Sequence, residues 1–336
     1  MGSCDVAEDC RILVTGAGGF VAGWLLKALA RDMPSAVVTC AYHRGSPSEQ
    51  PKGTRAISLD ITESAAVREA ISFVQPTGVV HLAGVSTVAA ARRDRRCAWA
   101  VNVGGTLNLA EAVLEIVPSA RFVFASSAEV YGGTFAKHMG PVHEEEPLDP
   151  VNAYAATKAA ADLLLGEMAR DGLNTVRLRP FNHSGPGQGE AFVVPSFAAQ
   201  IARIEAGLAP PVLRTGNLEV SRDFLDVRDV VDGYIKALSV PDIPPGRIYN
   251  LASGEPLSIR RIVEQLVDAA RMSISVETDP QLVRPVDIPT TVGSFQRAQE
   301  ELAWRRAINF ESTISDVLDD CRARFKSDQQ IRPAPM

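Results

Sequence analysis

The sequence predicts a doubly wound α/β protein, a Rossmann-type parallel sheet with a smaller mixed α+β region after it. Three observations carry this. Short, continuous apolar runs alternate with helical patterns through the first half; a glycine cluster follows the first run; and after Pro180 glycine and proline thicken while the elements shorten. Apolar runs without alternation mark strands buried on both faces, which is how a parallel sheet reads.

Taken in order, 12–15 reads as the first strand, and Gly16, Gly18 and Gly19 lead into a helix carrying Val21, Leu25, Leu26 and Leu29. Runs at 36–41 and 55–59 give the second and third strands. A helix over about 63–73 precedes the strand 79–82. One long helical stretch, about 88–116, leads to the strand 121–125, and a helix over 154–170 precedes the strand 175–178. Residues 1–180 are expected to form the first domain, with segments near 226–252 returning to it. Residues 181–330 make up most of a second, discontinuous domain.

Composition narrows the function. With 336 residues, 46% hydrophobic and 22% charged, the chain can build a substantial core and is too apolar for disorder. A net charge of −6 argues against a nucleic-acid partner. No apolar run nears the roughly 20 residues of a membrane span. Asp5, Glu8 and Asp9 make the start unlike a basic secretory leader. Cys4, Cys10, Cys40, Cys97 and Cys321 are odd in number and scattered, which fits neither a disulfide framework nor a C-x-x-C metal site. The expectation is a soluble cytosolic protein without a metal.

The glycines read as a phosphate cradle. In Gly16-x-x-Gly19-x-x-Ala22, Gly16 permits a tight turn and Gly19 lets backbone N–H groups approach a diphosphate at the helix N-terminus. Phe20 and Val21 open that helix. After the second strand an acid would bind a ribose 2′-OH; the chain has Tyr42-His43-Arg44 instead. Arg44, with His43, suits a 2′-phosphate, so NADP(H) is favoured and NAD(H) is the alternative. Asp60 and Ile61 follow the third strand where an adenine ring would lie, although Asp60 equally suits a helix cap at Thr62.

A second constellation carries chemistry. Tyr154-x-x-x-Lys158 puts a phenol and an ammonium on one helical face. The lysine is expected to lower the phenol's pKa and to anchor a nicotinamide ribose. Ser127 ends the preceding strand, on the edge of an open sheet that faces ligands. Ser127 would orient a carbonyl oxygen while Tyr154 exchanges its proton.

With these residues in place, the chain resembles the extended short-chain dehydrogenase/reductase family: Thr15 to Ala22, His81-Leu82-Ala83-Gly84, Asn102, Ser126 to Gly132, and Tyr154 to Lys158 match its motifs. The resemblance implies a Rossmann domain for NAD(P), a C-terminal domain for a nucleotide sugar, and a homodimer. It implies that Leu82, Ala83 and Gly84 line the cofactor, that Asn102 is structural or cofactor-side, and that Ser86 and Val193 reach the substrate. The string Arg179 to Gln188, with Ser221 to Val227, resembles family members that reduce the 4-keto group of GDP-4-dehydro-6-deoxy-D-mannose to GDP-D-rhamnose. In that branch Asn182, Arg222 and Arg284 would hold the diphosphate and sugar. Arg222 also suits a local pair with Asp223, and His183 a packing role. Family dehydratases carry an acid and a base after the catalytic hydroxyl; here the pair is Ala128-Glu129, so Glu129 is left to bond sugar hydroxyls or to pack at the rim. Two readings stay open beside 4-keto reduction: an NAD-dependent nucleotide-sugar 4-epimerase, and a cofactor-sensing scaffold without catalysis.

Overall fold

The computed structural model describes residues 10–43, 52–138, 140–283 and 288–331. The first half builds β1 (Arg11–Thr15), α1 (Phe20–Asp32), β2 (Val37–Tyr42), β3 (Thr54–Ser58), α2 (Ser64–Val74) and β4 (Gly78–His81). There follow α3 (Val88–Arg93), α4 (Arg95–Trp99), a π turn (Ala100–Gly105), α5 (Thr106–Ile116), β5 (Arg121–Ala125), a 3-10 turn (Ala128–Val130), α6 (Thr134–Lys137), α7 (Ala153–Met168) and β6 (Thr175–Pro180). The single long helix expected at 88–116 is therefore broken. Asp94 caps α4 by accepting from Cys97 N, and the π turn inserts before α5.

The second half adds β7 (Asn182–Ser184), α8 (Val193–Glu205), β8 (Val212–Thr215), β9 (Ser221–Asp226), α9 (Val227–Ser239), β10 (Arg247–Leu251), β11 (Pro256–Ser258), α10 (Ile259–Asp268), β12 (Ser275–Thr278), β13 (Thr290–Thr291), α11 (Gln296–Leu302) and α12 (Phe310–Ile331).

Seven strands form the main sheet in the order β10-β6-β5-β4-β1-β2-β3, all parallel. The chain reverses direction across the sheet between β1 and β4, and ligands of doubly wound folds bind above such a point. Both sheet faces are covered, which is why Val79, Val80, Phe122, Val123 and Phe124 are buried without alternation. On one face α1 and α9 pack through Leu25, Leu29, Val230 and Tyr234; on the other, α2, α5 and α7 pack through Ile71, Val113 and Leu165. A separate apolar cluster joins α8, α10 and α12 around Leu213 and Phe224, with Phe224 stacked on Phe310 at 4.9 Å. Four short strands, β7, β9, β11 and β13, make a second sheet beside the carboxyl ends of the main one.

Candidate active site

The glycine loop is shaped by its neighbours. Gly16 has φ +68°, and a Cβ there would come 2.7 Å from the Ala83 nitrogen, so the turn after β1 lies directly on the 82–83 backbone. Only glycine fits both demands. Gly19 caps α1 with no side-chain bond, and the first turn holds no acid. Its N–H groups and positive dipole end are thus left for an anion, which fits the diphosphate of a dinucleotide. The Phe20 ring lies against Gly185, so the cradle touches the segment after β7. At the outer end, His43 Nδ1 stands 3.5 Å from Asp60 Oδ2, and Asp60 Oδ1 accepts from Thr62 N and Oγ1 at 2.9 and 2.7 Å. The Ile61 side chain is buried, within 2.6 Å of where a Cβ on Gly105 would sit. Arg44 lies outside the described residues.

A buried polar chain supports this loop from below. Thr15 Oγ1 pairs with His81 Nδ1 at 2.7 Å, and His81 Nε2 pairs with Thr106 Oγ1 at 3.0 Å. Burial, helped by the cation of Lys158, pushes His81 down to about 3, so the ring is neutral. The π turn carries Asn102, which accepts from Val85 N at 2.7 Å and donates to Val85 O at 3.1 Å and to Thr157 Oγ1 at 2.9 Å. Asn102 therefore clamps the loop after β4 to α7. A Cβ on Gly84 would come 2.9 Å from Asn102 Oδ1 and 3.7 Å from Lys158 Nζ.

Ser127, Tyr154 and Lys158 come together at the ends of β5 and α7. Ser127 Oγ accepts from Glu129 N at 3.2 Å, which fixes the 3-10 turn, and its hydroxyl is near enough to the Tyr154 phenol to favour the ionised form. Asn152 caps α7 by accepting from Ala155 N at 2.9 Å, and its amide donates to Glu129 Oε2 at 3.1 Å. Burial, reinforced by the Glu129 charge, pushes the phenol up to about 12 against the opposing influence of the Ser127 hydroxyl. Lys158 Nζ donates to Ala125 O at 2.7 Å and lies 4.9 Å from the Phe124 ring centre; burial lowers it to about 8. The expected lowering of the phenol by Lys158 is not found: desolvation dominates, and the ammonium is turned to the Ala125 carbonyl. At neutral pH Tyr154 is a protonated donor.

Of the residues expected to meet the substrate, Asn182 and Arg222 sit on the second sheet. Asn182 opens β7 opposite Phe224 of β9. Arg222 Nη1 donates to Ser221 O and Ile288 O, while Asp223 is turned to backbone, accepting from Ser253, Gly254 and Gly293 N–H groups at 2.7, 3.0 and 3.2 Å. His183 Nδ1 donates to Phe181 O at 2.9 Å, and burial lowers its pKa. Val193 opens α8, Ser86 is exposed in the loop after β4, and Arg284 lies outside the described residues.

The residue that sequence reasoning missed is Asp162, fully buried and one turn past Lys158. It accepts from Ser126 Oγ at 2.6 Å, from Arg177 Nη1 at 3.0 Å and from Arg179 Nε and Nη2 at 3.0 and 2.8 Å. An acid between Ala161 and Leu165, with arginines at i and i+2 on the apolar β6, was the available signal. Among the described residues no cluster of His, Cys, Asp or Glu is arranged to hold a metal ion, and no helix is long and apolar enough to cross a membrane.

A glycine-cradled helix start at the switch point, with a hydroxyl–phenol–ammonium set beside it, defines an oxidoreductase-type enzyme of the extended short-chain dehydrogenase/reductase class. The chain belongs to the GDP-mannose 4,6 dehydratase family, whose sequence model matches residues 13–317. It is 34% identical to the GDP-6-deoxy-D-mannose reductase of Pseudomonas aeruginosa, over 95% of this chain and 99% of that one. The structure of RMD from that organism complexed with NADPH superposes with a TM-score of 0.79 at 32% identity, covering 94% of this chain and 99% of the other. More distant is a UDP-glucose 4-epimerase of Corynebacterium glutamicum, 28% identical over 88% of this chain and 90% of that one.

Proposed function

We propose that this protein reduces the 4-keto group of GDP-4-dehydro-6-deoxy-D-mannose to GDP-D-rhamnose, using NADPH in preference to NADH. The observation that carries the reading is the composition of the catalytic wall: Ser127 beside a protonated Tyr154, with Ala128-Glu129 where dehydratases of the family typically carry Asp-Glu or Ser-Glu. A 4-keto reduction needs a donor for the carbonyl oxygen and no elimination base-and-acid pair. The likeness to the Pseudomonas reductase and its NADPH complex supports the same choice.

In this reading Ser127 and Tyr154 donate hydrogen bonds to the ketone oxygen, and Tyr154 gives up its proton as that oxygen becomes a hydroxyl. Gly16, Gly19, Phe20, Val21, Leu82, Ala83 and Gly84 hold the dinucleotide, with Lys158 and Asn102 on its nicotinamide side and His43, Arg44, Asp60 and Ile61 at its adenosine end. The reduced nicotinamide supplies hydride to the carbonyl carbon when bound. Ser86, Glu129, Asn182, Val193, Arg222 and Arg284 hold the nucleotide sugar. Residues 1–180, with returning segments near 226–252, serve the cofactor, and 181–330 mainly the sugar. The enzyme works in the cytoplasm as a homodimer, with exposed Trp99 of α4 and Leu163 of α7 offering apolar surface for the contact.

Purified protein given NADPH and GDP-4-dehydro-6-deoxy-D-mannose is expected to oxidise the cofactor and yield GDP-rhamnose. No oxidation with this sugar would remove the assignment. The second reading, an NAD-dependent 4-epimerase, draws on the epimerase relatives. It requires tightly held NAD, so stoichiometric NAD in the protein as purified would favour it.

A further inference from the structure

The reaction scheme gives no role to the buried acid nearest its lysine in sequence, Asp162. Asp162 stands on α7 at i+4 from Lys158, fully inaccessible, and its carboxylate is shared by three donors from two strands: Ser126 at the end of β5, and Arg177 and Arg179 of β6. Arg179 is itself held on its far side, donating to the Tyr131 hydroxyl at 2.9 Å and to Glu144 O at 3.1 Å. Arg177 donates to Gly246 O and to the Asp162 carbonyl. Asp162 is therefore immobile, and it is tied to the residue adjoining Ser127.

Lys158 needs such a neighbour. Its ammonium is buried, with a carbonyl and an aromatic ring as its contacts. The charged and titratable groups that act on it or on Tyr154 come from each packed element. They are His81 of β4, which is neutral; Glu129 of the 3-10 turn, bonded to Asn152; Tyr234 of α9, a buried phenol; and Asp162, the acid whose charge opposes the desolvation of Lys158. Arg177 and Arg179 surround Asp162 and temper its field.

We propose that Asp162 is a positioning residue for the cofactor-side chemistry: held by Ser126, Arg177 and Arg179, its carboxylate is the counter-charge that keeps the Lys158 ammonium charged at its seat by Ala125. The proposal deepens the reductase reading and rests on it only in taking Lys158 as a cofactor ligand. A neutral residue at 162 leaves Lys158 to desolvation alone, and its ammonium is lost at lower pH. Removing the cation at 177 unshields Asp162, and the ammonium then persists to higher pH.

The test is the dissociation constant of NADPH, by fluorescence, from about pH 6 to pH 10, a range that spans the lowered and the ordinary lysine values. In the unaltered protein affinity should fall as pH rises through about 8. Asp162→Asn, which keeps an acceptor for Ser126, should move that midpoint down by about one unit or more, the size of a lost close counter-charge. Arg177→Gln should move it up. A merely structural role would weaken binding equally at all pH values and move no midpoint. Unchanged midpoints in both variants, or affinity independent of pH in all three proteins, would overturn the proposal. If Asp162→Asn does not fold by circular dichroism, Arg177→Gln decides alone: an upward shift supports the proposal and any other result sinks it. NADH serves as the probe if NADPH does not bind, and no sugar is used, so failure of the sugar assignment leaves this test intact.

Discussion

The catalytic wall of the proposed site and the second sheet, its proposed substrate wall, each hold a fully buried aspartate, Asp162 and Asp223, and the two are satisfied by opposite means. On the catalytic wall, Asp162 sits between two arginines and a serine hydroxyl, and these hold its carboxyl below the ordinary carboxylate range against the cost of burial. On the substrate wall, Asp223 gathers three backbone N–H groups from the 253–254 and 293 segments. Those amides do not offset burial, which holds it up at about 6. The difference follows from what each wall must do. The catalytic wall fixes side chains on a long helix, α7, packed on the main sheet, where the arginines of β6 fit between helix and strand. The substrate wall ties together short strands and turns, whose spare groups are amides.

The largest break expected is on the catalytic wall. Tyr154→Phe removes the phenolic donor of the proposed reaction while leaving the ring. Turnover should fall by about 10²–10⁴-fold, the usual worth of positioned proton transfer, with NADPH binding retained in a fluorescence titration. Ordinary turnover in this variant would refute Tyr154 as the donor.

Next in size is the cost of removing each anchor. Asp162→Ala strands Arg177 and Arg179 with an uncompensated buried charge, and should lose about 3–5 kcal/mol in urea unfolding. Asp223→Ala strands amides instead, and the loss should be smaller, about 1–3 kcal/mol. Equal losses, or the reverse order, would show that charge compensation is not what separates the two walls.

The same contrast explains how much of the molecule could be read from its residues. The strands of the main sheet were legible because burial on both faces leaves continuous apolar runs, as at 79–80 and 122–124. The Ser127, Tyr154 and Lys158 set was legible because its spacing is local to one strand end and one helix. Asp162 was not, although it lies in the same helix, because its partners Arg177 and Arg179 belong to a strand that reaches it only through the sheet. Asp223 was read as a neighbour for Arg222, but its acceptors are filled by amides 30 and 70 residues away. The π turn also escaped notice. Val101, Val103 and Leu107 continue a helical pattern across it, so the pattern gives no sign of the extra residue that turns Asn102 toward Val85 and Thr157.

The smallest effect tests the comparison most directly, because only one wall should respond to mild acid. The folded-state value of Asp223, about 6, lies above its ordinary 3.8, so the folded protein takes up the proton more readily than the unfolded chain. Stability from this group is then present in full below about pH 4 and is lost as pH rises through about 6. Asp223→Asn abolishes that dependence. Its deficit relative to the unaltered protein should grow by about 1 kcal/mol on going from about pH 7.5 to pH 5, read from urea unfolding at the two pH values. Asp162 has a lowered value, so its contribution is present above the ordinary carboxylate range and fails only in stronger acid. Ser126→Ala, which removes one hydrogen bond from Asp162 and leaves its charge, should therefore show the same deficit at both pH values. A pH-dependent deficit in Ser126→Ala, or a constant one in Asp223→Asn, would mean that the amides compensate a buried carboxylate as fully as the arginines do.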